Sequence, residues 1–356
     1  MTSPRLRPFL ERMSGYKPGR RPAPGQDVSR LASNETPYPL LPSVQAAVNE
    51  ALTGSNRYPD PAATLVTQAL ADKHGIAVER IMVGCGSNQV VQELIAISCD
   101  AGDEVVYGWR SFEAYPGLTA IAGAIPVQVP LKDAHLDLDA MAAAITDRTR
   151  IVLLCSPNNP TGPALSESSV VAFLDAVPTH ILVVLDEAYF EFVDDPDAVN
   201  GTHLLDRYAN LVVLRTFSKA FGLAGLRVGY ALTGSPAVGA ALRQVHLPFA
   251  VSIAAQAAAV ASLKAEPELL LQVAEIVKQR EPLRQQLLQL GWEVPPTQGN
   301  FVWLPAGADS DRVSRVFEDN GVLVRCFSGE GIRITIGTPA DSVRVVAAAR
   351  AALLAT

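Results

Sequence analysis

The sequence holds few cysteines, four in 356 residues: Cys85, Cys99, Cys155 and Cys326. None stands in C-x-x-C spacing, so neither a zinc site nor a small disulfide framework is expected, and a reducing cytoplasm fits. The five histidines, His74, His135, His180, His203 and His246, are scattered without ligand spacing, and no metal site is expected. Positive charge is also scarce. A net charge of −7 gives no footprint for nucleic acid or an anionic membrane surface, so an anionic cofactor would need local cations. Long hydrophobic runs are missing as well: the longest, Ala250 to Leu263, is interrupted by Ser252, Gln256 and Ser262 and is too short to span a bilayer. The first twenty residues carry Arg5, Arg7, Lys17 and Arg20 and no apolar core, which argues against a secretory signal.

Several signatures are absent too. Gly84-Cys85-Gly86-Ser87-Asn88 follows a strand-like run, but Gln89 stands where a dinucleotide fingerprint needs its third glycine. There is no G-x-x-x-x-G-K-[ST] loop and no G-x-S-x-G elbow, which disfavours a dehydrogenase, a P-loop protein and a serine hydrolase.

What is present is an alternation. Short β-branched runs at 81–84, 104–107, 150–155, 181–185 and 211–215 alternate with longer helix-like segments, as in a mostly parallel sheet covered by helices on both faces. Residues 15–43, rich in Pro and Gly, read as an irregular arm. Beyond the Ala-rich stretch and a helical segment from about Glu266 to Leu290, shorter strands at 301–304, 322–325 and 332–336 suggest a smaller α+β domain. At 49% hydrophobic residues the chain is long enough for two domains.

Four segments are candidates for chemistry, and each has a plainer reading. Asp186 ends the run at 181–185, where open α/β sheets place their ligands, but an Asp there also caps helices. Lys219 follows the next buried strand in a Gly-rich turn, where burial would supply a neutral amine; it could instead be a surface lysine. The backbone N–H groups of Ser87 and Asn88 open the helical stretch ending at Ser98 and suit a phosphate, a weak signal alone. Residues 156–162 are a Pro/Asn/Gly turn by composition.

Taken together, Asn159-Pro160-Thr161-Gly162, Asp186-Glu187-Ala188-Tyr189 and Ser218-Lys219 with Arg227 resemble the fold-type I aminotransferases. Residues 31–35, 56–60 and 333–337 resemble, more narrowly, the histidinol-phosphate aminotransferase family. That resemblance implies an α/β fold: a large domain with a mostly parallel seven-stranded sheet sandwiched by helices, plus a smaller α+β domain. The expected division is an arm at 1–43, a cofactor domain at 44–263 and a small domain at 264–356. It implies pyridoxal 5'-phosphate on Lys219 as a Schiff base, with Asp186 on the pyridine nitrogen, Tyr189 and Asn159 on the ring oxygen and Phe112 stacked on the ring. Thr216, Ser218, Arg227, Ser87 and Asn88 would hold the phosphate, joined by Tyr58 of a second copy in a homodimer. Arg333 would clamp the substrate's anionic group, though an edge-strand arginine is its plain alternative, and Tyr16 and Asn300 would line the same pocket.

Residues 108–115 depart from the Pro-x-Tyr-x-x-Tyr pattern of the histidinol-phosphate enzymes and look like their relatives, the aromatic amino acid aminotransferases. The expected reaction therefore moves an amino group between phenylalanine or tyrosine and a 2-oxoacid such as 2-oxoglutarate. Histidinol-phosphate transamination is the alternative. A decarboxylase on the same scaffold is a further reading, and an effector-binding module lacks a helix-turn-helix segment within residues 1–40.

Overall fold

The computed structural model describes Pro4, residues 6–11 and residues 25–355. The arm contributes β1 (Ser29–Arg30), and the central sheet follows: β2 (Ile81–Gly84), β3 (Glu104–Trp109), β4 (Ile125–Pro130), β5 (Thr149–Cys155), β6 (Leu182–Asp186), β7 (Leu211–Thr216) and β8 (Gly229–Thr233). These seven strands lie in the order β2-β8-β7-β6-β5-β3-β4. All neighbours are parallel except β8, which is antiparallel to both β2 and β7. A loop at 217–228, rather than a crossover helix, joins β7 to β8, so the chain reverses there.

The runs read as two-face-buried strands are so: β2, β6 and β7 are buried at every residue. Two strands escaped the sequence reading. β4 carries Pro126 and Pro130 and is mostly exposed, because it is an edge strand, where a missing N–H costs no ladder bond. β8 is short and follows a Gly-rich turn that masks it.

A second sheet is antiparallel, in the order β11-β12-β9, formed by β9 (Phe301–Leu304), β11 (Arg325–Phe327) and β12 (Gly331–Thr335). The run at 322–325, read as one strand, is divided: β10 (Val322–Leu323) pairs in parallel with β1, and only Arg325 enters β11. The arm is thus a packed element at residues 29–30, not wholly irregular. Its strand was illegible because two residues show no periodicity and their partner lies nearly three hundred positions away.

The helix Ile253–Lys264 buries Ala254, Ala255, Ala258 and Ala259, small side chains that permit close approach to the helix Pro42–Leu52. The long helix Glu266–Gln289 sends the buried Arg280 back to the segment after β6, donating to Phe192 O at 2.7 Å and pairing with Asp194 at 2.5 Å. Among the described residues no helix is long and apolar enough to cross a membrane.

Gly229 opens β8 directly beneath the turn at residues 84–88. A Cβ there would lie 2.4 Å from Ser87 N and 2.9 Å from Gly86 C, both backbone atoms that cannot swing aside. Gly229→Ala is expected to destabilise the fold by about 1–3 kcal/mol through overpacking, seen as a lower denaturant midpoint in urea unfolding.

Candidate active site

The carboxyl ends of β5, β6 and β7 and the start of the helix Gly86–Ser98 open onto one cavity of about 1760 Å³. Parallel strands put their following loops on one side of the sheet, so residues distant in sequence converge there. Asn159 arrives after β5, Asp186 ends β6, and Thr216, Ser218 and Lys219 leave β7; all five line the cavity.

Asp186 is buried, with its Oδ2 accepting from Tyr115 Oη at 2.9 Å and its Oδ1 from Ala188 N at 3.3 Å. Burial pushes its carboxyl up to about 6, against the lowering effect of these two donors. Among the described residues no cation pairs with it, which is unusual for a buried carboxylate. Tyr115 was not singled out in the sequence. In a helix-like stretch it looks like any core aromatic, and only the fold brings it under Asp186 and edge-on to Phe112, 5.5 Å between centroids.

Lys219 Nζ donates to Ser33 O at 2.9 Å. Part of this side chain faces the open cavity, yet the surrounding protein desolvates it. Its amine is pushed down to about 7, chiefly by burial and further by Arg333 and Arg227, with Glu35 opposing. The amine is therefore substantially neutral at physiological pH.

The helix Gly86–Ser98 has no side-chain cap at its start, and its first N–H groups are disposed to meet an anion. Gln89 Oε1 instead accepts from Cys85 N at 2.7 Å, bracing the turn from the position that a third glycine would hold. Arg227 adopts φ 58°, the left-handed region, and donates to Ser218 Oγ at 3.3 Å and Ala224 O at 3.1 Å. Gly86 makes room for that guanidinium, since a Cβ would sit 2.5 Å from Arg227 Nη2. Ser87, Asn88, Thr216, Ser218 and Arg227 thus share one corner of the cavity. Asn88 Oδ1 is buried there with no hydrogen-bond partner.

Arg333, on β12, reaches over from the second sheet. Its Nη1 donates to Asn159 Oδ1 and its Nη2 to Ala32 O at 2.7 Å. Tyr189, pushed up to about 12 by burial, accepts from Asn34 Nδ2 at 2.9 Å. Asn34 is fully buried, and two further bonds join it to Thr335, N to Oγ1 at 2.9 Å and Oδ1 from Oγ1 at 3.0 Å. Three consecutive arm residues, Ala32, Ser33 and Asn34, therefore touch Arg333, Lys219 and Tyr189. The motif at 31–35 was visible in the sequence, but the part played by Asn34 was not.

Two of the expected residues do not line this cavity. Asn300 is fully buried, donating from Nδ2 to Asn34 O at 3.2 Å, and it supports the arm from behind. Tyr58 is 81% exposed, stacked on Phe249 at 4.5 Å, on the surface of its own chain. Tyr16 lies outside the described residues. Phe112 does face the cavity, beside Trp109 and Phe327.

The family model for aminotransferase class I and II matches residues 26–349. The chain is 51% identical to the aromatic amino acid aminotransferase of Thermobifida fusca, over 98% of this chain and 97% of that one. It is 52% identical to the protein of the same name from Rhodococcus jostii, over 96% and 94%. Among solved structures, the histidinol-phosphate aminotransferase from Sinorhizobium meliloti in complex with pyridoxal-5'-phosphate superposes with a TM-score of 0.88 at 28% identity, covering 98% of both chains. With the strand-end cavity, the desolvated lysine and the unpaired buried carboxylate already in place, these matches make the chain a member of the aminotransferase class I and II family.

Proposed function

We propose that this protein transfers an amino group between an aromatic amino acid, phenylalanine or tyrosine, and a 2-oxoacid such as 2-oxoglutarate, with pyridoxal 5'-phosphate as cofactor. The observation that carries the cofactor is the pairing of two opposed groups in one cavity: Asp186, buried without a cation, and Lys219, an amine brought near neutrality. A protonated ring nitrogen would pair with Asp186, and an aldehyde would suit the Lys219 amine. The uncapped helix start and Arg227 match the phosphate.

When bound, the cofactor supplies an electron-withdrawing ring that stabilises negative charge at the substrate Cα. The remaining work belongs to this chain. Lys219 Nζ would hold the cofactor and would serve as the base that takes and returns the substrate Cα proton. Asp186 would keep the ring nitrogen protonated, and Asn159 and Tyr189 would orient the ring oxygen. Phe112 would pack on the ring face; Ser87, Asn88, Thr216, Ser218 and Arg227 would hold the phosphate. Arg333 takes the substrate carboxylate, where its planar fork suits two oxygens.

The aromatic substrate is supported by the names of the relatives at about half identity and by the wall of Trp109, Phe112 and Phe327. Tyr58, exposed beside the exposed Phe249, supports a homodimer in which it reaches the phosphate of the other copy. The same reading divides the chain into an arm at 1–43, a cofactor domain at 44–263 and a small domain at 264–356. Four free cysteines fit a cytoplasmic setting.

Three outcomes test this reading. The apoprotein should capture pyridoxal phosphate at a rate that rises through about pH 7 and then levels, because the neutral amine reacts and its proton leaves near 7. Stopped-flow absorbance reads that profile; a rise only near the ordinary lysine range, or unchanged capture by Lys219→Ala, would refute the assignment. Tyr115→Phe removes a donor that holds Asp186 down, so its carboxyl rises further and the acid limb of the kcat/KM profile moves to higher pH. Turnover should fall by roughly ten- to a hundredfold, the scale of one hydrogen bond to a charged group. Finally, phenylalanine, histidinol phosphate and glutamate are added separately to the holoprotein while the cofactor absorbance is followed. Loss of the resting band at lower phenylalanine than histidinol-phosphate concentration supports the aromatic reading; the reverse order overturns it.

A further inference from the structure

Two ion pairs cross the cavity from the loop after β3 to the β11–β12 hairpin. Arg325 is held by Glu113 through both carboxylate oxygens, Nε to Oε2 at 3.1 Å and Nη2 to Oε1 at 2.7 Å. Arg110, stacked 4.1 Å over the Trp109 ring, pairs with Glu330, Nε to Oε2 at 2.7 Å. Glu113, Arg110 and Arg325 all line the cavity beside Trp109, Phe112 and Phe327.

The register explains why Arg325 needs an anion. Arg325 and Arg333 are direct cross-strand partners on β11 and β12, so two like charges stand side by side on one face of the sheet. Such a pair repels unless one member is neutralised. Glu113 neutralises Arg325, whereas Arg333 donates to two neutral acceptors, Asn159 Oδ1 and Ala32 O. Glu113 also sits immediately before the helix Ala114–Ala122, where a carboxylate is favoured by the helix dipole.

We propose that Glu113 is a specificity-determining residue. With the one carboxylate every amino acid carries assigned to Arg333, Glu113 occupies Arg325 and leaves the Trp109–Phe112–Phe327 wall to a neutral aromatic group in preference to a second anion. The inference rests on the aromatic reading above and adds a cause for it. A substrate with a distal carboxylate or phosphate has to displace Glu113 to reach Arg325, and that displacement lowers its affinity. An aromatic side chain leaves the ion pair intact and gains the apolar wall.

The test compares the holoprotein with Glu113→Gln, Glu113→Asp and the double variant Glu113→Gln/Arg325→Gln. Half-reaction kcat/KM is measured for phenylalanine, glutamate and histidinol phosphate. Dissociation constants for 3-phenylpropionate and glutarate, by calorimetry, provide a readout independent of chemistry. Glu113→Gln should shift both preferences toward the anionic ligands by about tenfold, the scale of one charge-assisted hydrogen bond. Glu113→Asp should keep the original preference, and the double variant should return to it. An unchanged ratio, or an equal loss for every ligand, overturns the proposal. Should Glu113→Gln fail to fold, Arg325→Gln alone carries the test: its unneutralised Glu113 should repel the anions by a similar factor, and an unchanged ratio overturns the proposal equally. Rejection of phenylalanine by the unaltered protein would instead sink the aromatic reading itself.

Discussion

Lys219, Arg227 and Arg333 are among the basic groups that face one cavity in a chain whose net charge is −7, and holding them together is the constraint on which the rest of the site depends. Like charges brought out of water repel strongly. The protein relieves this in two ways. Lys219 yields, giving up its proton near pH 7 under the pressure of burial and of both arginines. The arginines, which cannot lose theirs, donate to neutral oxygens: Arg227 to Ser218 Oγ and Ala224 O, Arg333 to Asn159 Oδ1 and Ala32 O. Such acceptors take hydrogen bonds without themselves bringing a negative charge. The site thereby keeps its attraction for anionic ligands, while the carboxylate of Asp186, driven upward by burial, is set apart beneath Tyr115.

That arrangement dictates features of the scaffold away from the chemistry. Lys219 and Arg227 can both reach the cavity because the chain turns back after β7 instead of crossing over, which makes β8 antiparallel. The turn back is tight against the helix start, so Gly229 and Gly86 carry no side chain where backbone and guanidinium approach. Gly86 and Arg227 both adopt left-handed φ, a cost of order 1–3 kcal/mol for the arginine that persists because Ser218 and Ala224 fix its guanidinium.

How much of this was legible follows from what kind of signal each element leaves. Buried strands write themselves as continuous apolar runs, so β2, β3, β5, β6 and β7 could be read, and with them the positions of Asp186 and Lys219 at strand ends. β4 could not, because edge strands accept prolines and exposed residues that look like loop. Pairings between distant segments leave no local trace: β1 with β10, Asn34 with Thr335, and Glu113 with Arg325 across 212 positions. Tyr115 is invisible for a different reason. Its spacing is that of a helix core residue, and its buried ring does pack as one; only the hydroxyl has a second task. The departure at 108–115 was visible, but its content, a carboxylate placed to hold Arg325, needed the second sheet.

The arm deserves a physical rather than a topological description. Ala32 O, Ser33 O and the Asn34 side chain bind Arg333, Lys219 and Tyr189 in succession, and Asn34 is in turn held by Thr335 of β12 and by Asn300 Nδ2. Arg333 recognises substrate, while Lys219 and Tyr189 serve the cofactor. One five-residue segment therefore sets the distance between recognition and chemistry, and it is anchored through hydrogen bonds that are buried around Asn34. Each bond left unmade in such a place costs about 1–3 kcal/mol, so the segment has few alternative positions. Catalysis by proton transfer loses its advantage when the reacting groups shift by an ångström. The strand pair β1 with β10 holds the arm at Ser29–Arg30, and Thr335 of β12, donating from N to Leu31 O at 2.9 Å, fastens the arm to the second sheet that carries Arg333. The substrate clamp and the wall of the cofactor pocket are, in this fold, parts of the same body.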